Sequence, residues 1–373
     1  MKTIILIHKD KLPKRPPVIS SLLALSDLGY KLILITTGIN DFWKEELNGR
    51  KIEFHVITPS KLPFPIISKI NFYKIFQKKC FQIVEEAFSR NGRGMIWVES
   101  VSTMVALGTK LKSFEYILQI QELHEKSKLQ QRYIKKLIND AKLVFMPEYN
   151  RTLLFKVWYK MTKTPIVLPN KPYYLISEEE AHKILSDYSD ILGPLKNKKL
   201  ILYQGGISRT RMLDKICVAI KRMNSDYHLL LVGPEQTPNI INELRQITKE
   251  ITHIKFLPAP NHLAFCCISY VGFVFYAPES LNNLYCAPNK IYEYSAYGLP
   301  MLGNDIPGLK YTIGINGAGA IVNPENIEDI ITGLETIEND YDSFKNNTKQ
   351  FFNSVNNKEI IRQSLQSIDF YDK

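Results

Sequence analysis

Short runs of consecutive apolar residues alternate with stretches of helical periodicity along most of the chain. Because the runs are apolar throughout, and not only at every second position, they predict strands of a parallel sheet covered by helices on both faces. In the first half the predicted strands are TIILIH, KLILITTG, IEFHVIT, MIWVES, YILQI, KLVFMP and PIVLPN. A second series follows with KLILYQGG, HLLLVGP, HIKFLPA, VGFVFYAP, PMLGND and AIVNP.

Two such series predict two successive doubly wound, Rossmann-like α/β domains. The polar segment 173–197, which contains a Gly-Pro pair, interrupts the alternation and predicts an inter-domain connection. The domains are then residues 1–172 and 198–340, and the helical periodicity of residues 341–373 predicts terminal helices that pack back towards the N-terminal domain. Ligands of open sheets bind at the carboxyl ends of the strands, so binding residues are expected in the loops there.

Composition narrows the classes of function. The chain of 373 residues has five cysteines without a CxxC pair, which argues against a disulfide framework or a thiolate zinc site and favours a reducing, cytoplasmic compartment. The first apolar run is too short for a signal peptide, and no segment approaches the ~20 apolar residues of a membrane span. The formal net charge of +11 indicates an anionic partner.

Much of the positive charge lies in the first half. Residues 61–79 carry five lysines and no acidic residue, and a helical apolar stripe continues to residue 88. A basic amphipathic helix of this kind predicts contact of residues 61–88 with an anionic membrane surface, the alternative being that the stripe packs on the sheet. A second basic cluster is EKSKLQQRYIKKL. No nucleic-acid-binding motif accompanies the charge, so no nucleic-acid partner is predicted.

The segment YQGGISRTRML follows the first strand of the second domain. Gly205 and Gly206 permit close approach of backbone to a ligand, and the N–H groups of the next helix begin near Arg209 and Arg211. Two planar guanidinium groups at this position suit a diphosphate. A tight turn with solvated arginines explains the segment equally well.

The segment APNKIYEYSAYGLPML predicts a short helix that starts after Pro288 and stops at Gly298. Lys290 in the first turn opposes the helix dipole unless an anion binds there. Glu293 lies three residues on and therefore on the same face. A phosphate on Lys290 and paired sugar hydroxyls on Glu293 would explain both positions, and an exposed Lys–Glu pair is the structural alternative.

These motifs together resemble a known family. YQGGISRTRML, LLLVGP, IKFLPA and APNKIYEYSAYGLPMLGND occur in the order found in the nucleotide-sugar half of family 4-type glycosyltransferases of the GT-B fold, over about residues 199–340. ILQIQELHE and TPIVLPNKPYY in the first half also resemble family segments. The resemblance implies two Rossmann-like domains facing a central cleft. It also implies transfer of a hexosyl group from a UDP-sugar to a glycan or lipid-linked acceptor in cell-surface polysaccharide synthesis, with retained anomeric configuration.

Carried over residue by residue, the resemblance makes Glu293 the carboxylate on the ribose hydroxyls and Arg211 and Lys290 the cations on the diphosphate. His124 matches a histidine that in the family lies near the donor sugar. The other residues predicted to bind the donor are Gly205, Gly206, Arg209, Leu257, Pro258, Glu279, Asn283 and Asn289. The resemblance implies neither a metal ion nor a cofactor. A lipid-linked acceptor would place the protein in the cytoplasm, peripherally at the inner face of the membrane.

Two positions depart from the family pattern. Tyr285 stands where the family often has a second glutamate, and HKDKLPKRPP follows the first strand in place of a Gly-Gly turn. Two other functions therefore stay open. One is a hydrolysing nucleotide-sugar 2-epimerase, which shares the two-domain plan, and the other is a non-catalytic partner that binds a nucleotide or a glycan.

Overall fold

The structure, a computed structural model, describes residues 2–58, 65–92, 94–223, 226–255 and 257–371, with the side chains of residues 65–69 excepted. The chain divides into two compact units. The first unit comprises Met1–Tyr173 and Asn356–Lys373, and the second comprises Tyr174–Val355.

The strands, in chain order, are β1 (Thr3–His8), β2 (Lys31–Thr36), β3 (Glu53–Val56), β4 (Gly94–Glu99), β5 (Tyr116–Gln119), β6 (Leu143–Met146), β7 (Ile166–Val167), β8 (Lys199–Gln204), β9 (Tyr227–Val232), β10 (Ile251–Ile254), β11 (Val271–Val274), β12 (Met301–Asn304) and β13 (Gly319–Val322).

The helices, in chain order, are α1 (Pro16–Asp27), α2 (Asp41–Gly49), α3 (Pro65–Asn91), α4 (Val101–Leu107), α5 (Lys128–Leu137), α6 (Tyr149–Trp158), α7 (Glu178–Ser186), α8 (Ser189–Leu192), α9 (Leu213–Met223), α10 (Ile240–Ile247), α11 (Leu281–Leu284), α12 (Asn289–Ala296), α13 (Pro307–Leu309), α14 (Ile327–Asn339), α15 (Tyr341–Ser354) and α16 (Asn357–Gln366).

Each unit is built on one parallel sheet. The first unit has seven strands in the order β3-β2-β1-β4-β5-β6-β7, and the second has six in the order β10-β9-β8-β11-β12-β13. The central strands β1, β4, β8, β9 and β11 are buried along almost their whole length, because helices cover both faces of each sheet. The predicted α/β class with two doubly wound domains is therefore confirmed.

The structure differs from the sequence-based boundaries in three places. Residues predicted as a polar connection form α7, because Ser177 and Glu180 cap its first turn reciprocally. The third strand of the second unit spans Ile251–Ile254, earlier than predicted, and prolines at 258 and 260 follow it. Of the C-terminal helices, α15 lies within the second unit, and only α16 belongs to the first.

Helix α3 carries the apolar stripe that was predicted to contact a membrane. Phe76, Cys80 and Val84 are fully buried in the first unit, whereas Lys74 and Lys78 are exposed. This part of the stripe therefore packs inside the unit, whereas Ile70 at its start is 53% exposed. Contact of residues 61–88 with a membrane stays a prediction. Residues 61–64 of this basic segment lie outside the described residues. Within the described part of the chain, no helix has the length and apolarity needed to cross a bilayer.

Candidate functional site

The carboxyl ends of β8 and β11 mark the switch point of the second sheet. The two strands are neighbours, and the chain continues from β8 to β9 on one side while β11 lies on the other. Connections leave such a point in opposite directions and open a crevice that binds ligands in open α/β sheets. Gly205 directly follows β8, Tyr276 follows β11, and helix α12 begins thirteen residues further along from Tyr276.

The loop after β8 depends on glycine. Gly205 has φ +124° and Gly233, in the loop after β9, has φ +150°, a region that side chains rarely permit. A Cβ on Gly233 would lie 2.0 Å from the carbonyl oxygen of Gly205. A Cβ on Gly205 would itself lie 3.5 Å from Nζ of Lys290. The two turns therefore pack backbone against backbone and leave the chain at Gly205 beside the Lys290 ammonium group.

Lys290 and Arg211 share a box of aromatic rings. Nζ of Lys290 lies 4.8 Å from the ring centroid of Tyr203 and 5.6 Å from that of Tyr276, and it donates a 3.5 Å hydrogen bond to the Tyr276 hydroxyl. Cζ of Arg211 lies 4.1 Å from the Tyr276 centroid. Cation–π contacts hold both charges, and neither residue forms an ion pair with another described residue.

The electrostatics of this box call for an anion. Burial, together with repulsion from Arg211, lowers the pKa of Lys290 to about 7. Nε and Nη1 of Arg211 are buried and make no hydrogen bond within the described part of the chain. Buried donors on cations are costly to leave unpaired. A ligand with several negatively charged oxygens would satisfy these donors and neutralise both charges.

Glu293 lies one turn further along α12 and is also buried. Nε2 of Gln204 donates a 2.8 Å hydrogen bond to one carboxylate oxygen, and Nε2 of His262 lies 3.3 Å from the other. Burial alone would raise the pKa of Glu293, but its contacts with His262, Gln204 and Lys290 outweigh burial and lower it. Glu293 is therefore an ionised, oriented acceptor with lone pairs left for ligand hydroxyls.

The remaining predicted donor-binding residues lie around this site in different environments. Gly206 packs against the Gln236 side chain, which a Cβ at that position would meet at 2.2 Å. Leu257 is buried in the hydrophobic core, and the Pro258 carbonyl accepts the Asn261 N–H at 2.9 Å.

Arg209 points away from the aromatic box, because its exposed side chain forms a 2.8 Å ion pair with Glu243. Glu279 is exposed in the loop before α11. The amide of Asn283 donates to the Ala277 carbonyl at 2.8 Å, and Asn289 is the half-buried first residue of α12. The structure therefore brings Gly205, Lys290 and Arg211 together with Glu293 one helical turn away, and it leaves Arg209 in a surface ion pair.

Sequence reasoning missed four residues of the site. Tyr203 and Tyr276 form the walls of the aromatic box, and Gln204 and His262 hold the Glu293 carboxylate. A signal was present for some of them, since Tyr203 and Gln204 close a buried strand directly before the two glycines. His262 gave none, because its pairing with Glu293 joins residues separated by 31 positions.

His124 lies in the first unit, in the loop after β5. Its backbone has φ +56°, and Nδ1 lies 3.0 Å from Oε1 of Gln130. Burial lowers the pKa of His124 more strongly than its neighbours Glu122 and Gln130 raise it. The imidazole is therefore held in one orientation and is uncharged at neutral pH.

The first sheet has its own polar pair at the switch point between β1 and β4. His8 and Glu99 end these strands, are partners in the strand register and are both buried. Their side-chain nitrogens and oxygens make no hydrogen bond to other described residues. Burial lowers the pKa of His8 to about 4 and raises that of Glu99 to about 8, so both are uncharged at neutral pH.

Comparison with known proteins agrees with this geometry. Residues 186–351 match the family model for glycosyl transferases group 1. The matched segment contains all the residues of the aromatic box and the Glu293 cluster. No curated protein sequence matches the chain.

Solved structures resemble the whole chain, and not only the segment that matches the family model. Anabaena Alr3699/HepE in complex with UDP and glucose has a TM-score of 0.71 at 13% identity, with 99% of this chain and 100% of that chain covered. S. aureus MnaA with UDP has a TM-score of 0.60 at 15% identity, with 100% and 98% covered. The E. coli trehalose-6-phosphate protein bound to UDP-2-fluoro glucose has a TM-score of 0.68 at 10% identity, with 98% and 99% covered. The chain therefore has the GT-B fold.

Proposed function

We propose that the protein transfers a hexosyl group from a UDP-sugar to a glycan or lipid-linked acceptor in the synthesis of a cell-surface polysaccharide, with retention of anomeric configuration. The observation that carries the proposal is a pair of adjacent cations that lack an anion, the buried Lys290 and the half-buried Arg211, whose Nε and Nη1 are buried without a hydrogen bond. The carboxylate of Glu293, one helical turn away, supplies the acceptor that ribose hydroxyls require. Three structures of the same fold, described above, contain UDP or a UDP-sugar, which supports the choice of base.

The residues of the site have different roles in the proposed reaction. The leaving UDP gains negative charge as the bond to the sugar breaks, and preorganised cations at Lys290 and Arg211 stabilise that charge in the transition state. Glu293 orients the nucleoside through the ribose. His124 keeps the role that the resemblance assigned to it, near the donor sugar. No protein nucleophile is needed, because the acceptor hydroxyl attacks on the face that the phosphate leaves.

The proposed reaction uses no metal ion. No group of three or more metal-ligating His, Cys, Asp or Glu side chains occurs among the residues that the structure describes. Metal independence stays a prediction, which addition of EDTA to a transfer assay would test directly. Full activity in EDTA is expected, and loss of activity that Mg²⁺ or Mn²⁺ restores would contradict it.

A nucleotide panel tests the proposal. UDP, GDP and their hexose conjugates are titrated into the full chain by calorimetry, followed by detection of sugar transfer or release. Preferential binding of a UDP-sugar and transfer to an added glycan acceptor are expected. Sugar release without an acceptor would favour the epimerase-type hydrolysis instead, and binding without turnover would favour the non-catalytic partner. Failure to bind any nucleotide would exclude the transferase, the epimerase and a nucleotide-binding partner, and would leave only a partner that binds a glycan.

The affinity for UDP-glucose is expected to depend on pH. Lys290 has a pKa of about 7 in the free protein, and a bound diphosphate raises it by favouring the charged form. Binding therefore takes up a proton above neutrality. Affinity is highest below about pH 7 and falls by up to about tenfold per pH unit above it. Calorimetric Kd values between pH 6 and 9 measure this effect, since the phosphodiester groups of UDP-glucose do not titrate in that range.

Lys290→Arg provides the matched control. A guanidinium group stays charged over the whole range, so the variant should bind with little pH dependence even if its absolute affinity is lower. Equal pH dependence in the two proteins would show that another group titrates. A constant Kd in the native protein would contradict the role of the Lys290 charge.

A further inference from the structure

Helix α6 exposes apolar side chains on the face that points away from the first unit. Tyr149, Leu153, Val157 and Trp158 have relative exposures of 61%, 39%, 74% and 40%. The opposite face of the same helix is already used, because Thr152 and Phe155 are buried against the unit. The exposed side chains are therefore not displaced members of the core. Tyr149, Leu153 and Val157 are spaced by four residues and therefore lie on one face of the helix, and clustered exposed apolar side chains mark an interaction site.

The charge around this face is predominantly positive, although Glu148 caps the start of α6 and Glu122 pairs with the buried Arg151 of the same helix. From Tyr149 to Ser177 the sequence contains no aspartate or glutamate, and Lys160 and Lys163 directly after the helix are exposed. Lys156, on the helix itself, donates to the Thr164 hydroxyl at 2.8 Å and has no acidic partner among the described residues. Lys156, Lys160 and Lys163 therefore flank the apolar face without an acidic partner among the described residues.

Helix α5 adds a second source of positive charge on the same side of the sheet. Strands β4, β5, β6 and β7 follow one another in sheet order, so right-handed connections place the helices between them on one face. The side chains that α5 exposes include Leu129 and four cations, none of which forms an ion pair with a residue that the structure describes: Lys128, Arg132, Lys135 and Lys136. This is the second basic cluster found in the sequence.

We propose that α5 and α6 form the surface by which the protein lies on an anionic membrane. Apolar side chains of α6 would enter the acyl boundary, with Tyr149 and Trp158 at the depth of the headgroups, where amphipathic rings are favoured. The cations of α5 and of the segment after α6 would contact anionic headgroups. A protein partner would need acidic groups spread along both helices, whereas a lipid surface supplies such charge everywhere. The inference does not depend on the nucleotide site.

Vesicle flotation of the full chain tests this surface. The native protein is expected to float with phosphatidylcholine vesicles that contain phosphatidylglycerol, and to be released by high salt. Leu153→Glu combined with Val157→Glu should lower the partition coefficient at least about tenfold, because two apolar anchors become acidic. Lys135→Glu combined with Lys136→Glu should lower it severalfold and weaken its dependence on salt.

Matched substitutions on the second unit provide the controls. Ile315 is 69% exposed, and Lys249 is an exposed lysine, so Ile315→Glu and Lys249→Glu make the same chemical changes elsewhere. Both should float like the native protein, and circular dichroism with thermal unfolding shows that every variant is folded. The proposal is overturned if the native protein does not bind the anionic vesicles at low salt, or if the α6 variant binds them equally well. It is also overturned if sedimentation shows that α6 instead mediates a dimer of this chain.

Discussion

Lys290→Met is expected to weaken binding of UDP-glucose about 100-fold and, at the same time, to raise the melting temperature. The loss follows from removing charge-assisted hydrogen bonds to the diphosphate in a buried site, which contribute about 1.5 to 3 kcal/mol. The gain follows because methionine removes a buried ammonium group that Arg211 repels. A stabilisation of about 1 kcal/mol would raise the Tm of a cooperative unit of the size of the second unit, Tyr174–Val355, by roughly 2 to 4 °C.

The opposite signs of the two effects separate a binding role from a structural one. Calorimetry measures the affinity and a thermal scan without ligand measures Tm. Lys310→Met is a suitable control, because Lys310 also lies in the second unit but is exposed, at 3.5 Å from the Asp305 carboxylate. It should change neither quantity appreciably. If Lys290→Met lowered Tm and left the affinity unchanged, the lysine would be a structural element of the core.

Glu293→Gln is expected to remove recognition of the ribose while the second unit stays folded. The amide keeps the size of the carboxylate and can still accept from Gln204, but it lacks the charge that strengthens hydrogen bonds from ribose hydroxyls. Affinity for UDP should fall by about 10- to 100-fold, which corresponds to roughly 1.5 to 3 kcal/mol. Glu293→Ala would also destabilise the fold, because Gln204 and His262 would both lose their buried partner.

A deoxynucleotide shows whether the effect arises at the ribose. The native protein should bind 2′-deoxy-UDP or 3′-deoxy-UDP less tightly than UDP, whereas Glu293→Gln should discriminate little between them. The difference between these ratios measures the coupling of Glu293 to the hydroxyl groups. If the native protein bound both deoxynucleotides as tightly as UDP, the carboxylate would not contact the ribose.

His262 is an example of a site residue that local sequence spacing does not predict. The sequence was enough to place Lys290 and Glu293 on the same face of a helix, because residues three positions apart in a helix are neighbours on its surface. The partners of Glu293 come from the end of β8 and from the loop after β10, and the aromatic walls come from β8 and the segment after β11. These contacts depend on strand order, which local spacing does not encode.

Helix α3 also shows what a local sequence pattern leaves undecided. Its basic residues and apolar stripe satisfy the description of a membrane-surface helix and of a core-packed helix equally well, because both require amphipathicity. The burial of Phe76, Cys80 and Val84 shows that these three residues of the stripe pack in the core, which the sequence pattern does not reveal. The apolar residues of α6, in contrast, have no unusual pattern in the sequence. Only the structure shows that Thr152 and Phe155 pack against the unit and that the apolar residues on the other face stay exposed.

By itself, the sequence determined the fold class, the two sheets and the helix that carries Lys290 and Glu293. Continuous apolar runs and helical periods are local consequences of burial, and a glycine such as Gly298, at φ +66° after α12, ends a helix wherever the helix lies. The tertiary structure decided which cations meet, what surrounds them and which apolar faces stay in solvent. Those properties arise from contacts between segments that are distant in the sequence. Burial of the charged groups and the repulsion between them depend on those contacts, which form only when the sheets assemble.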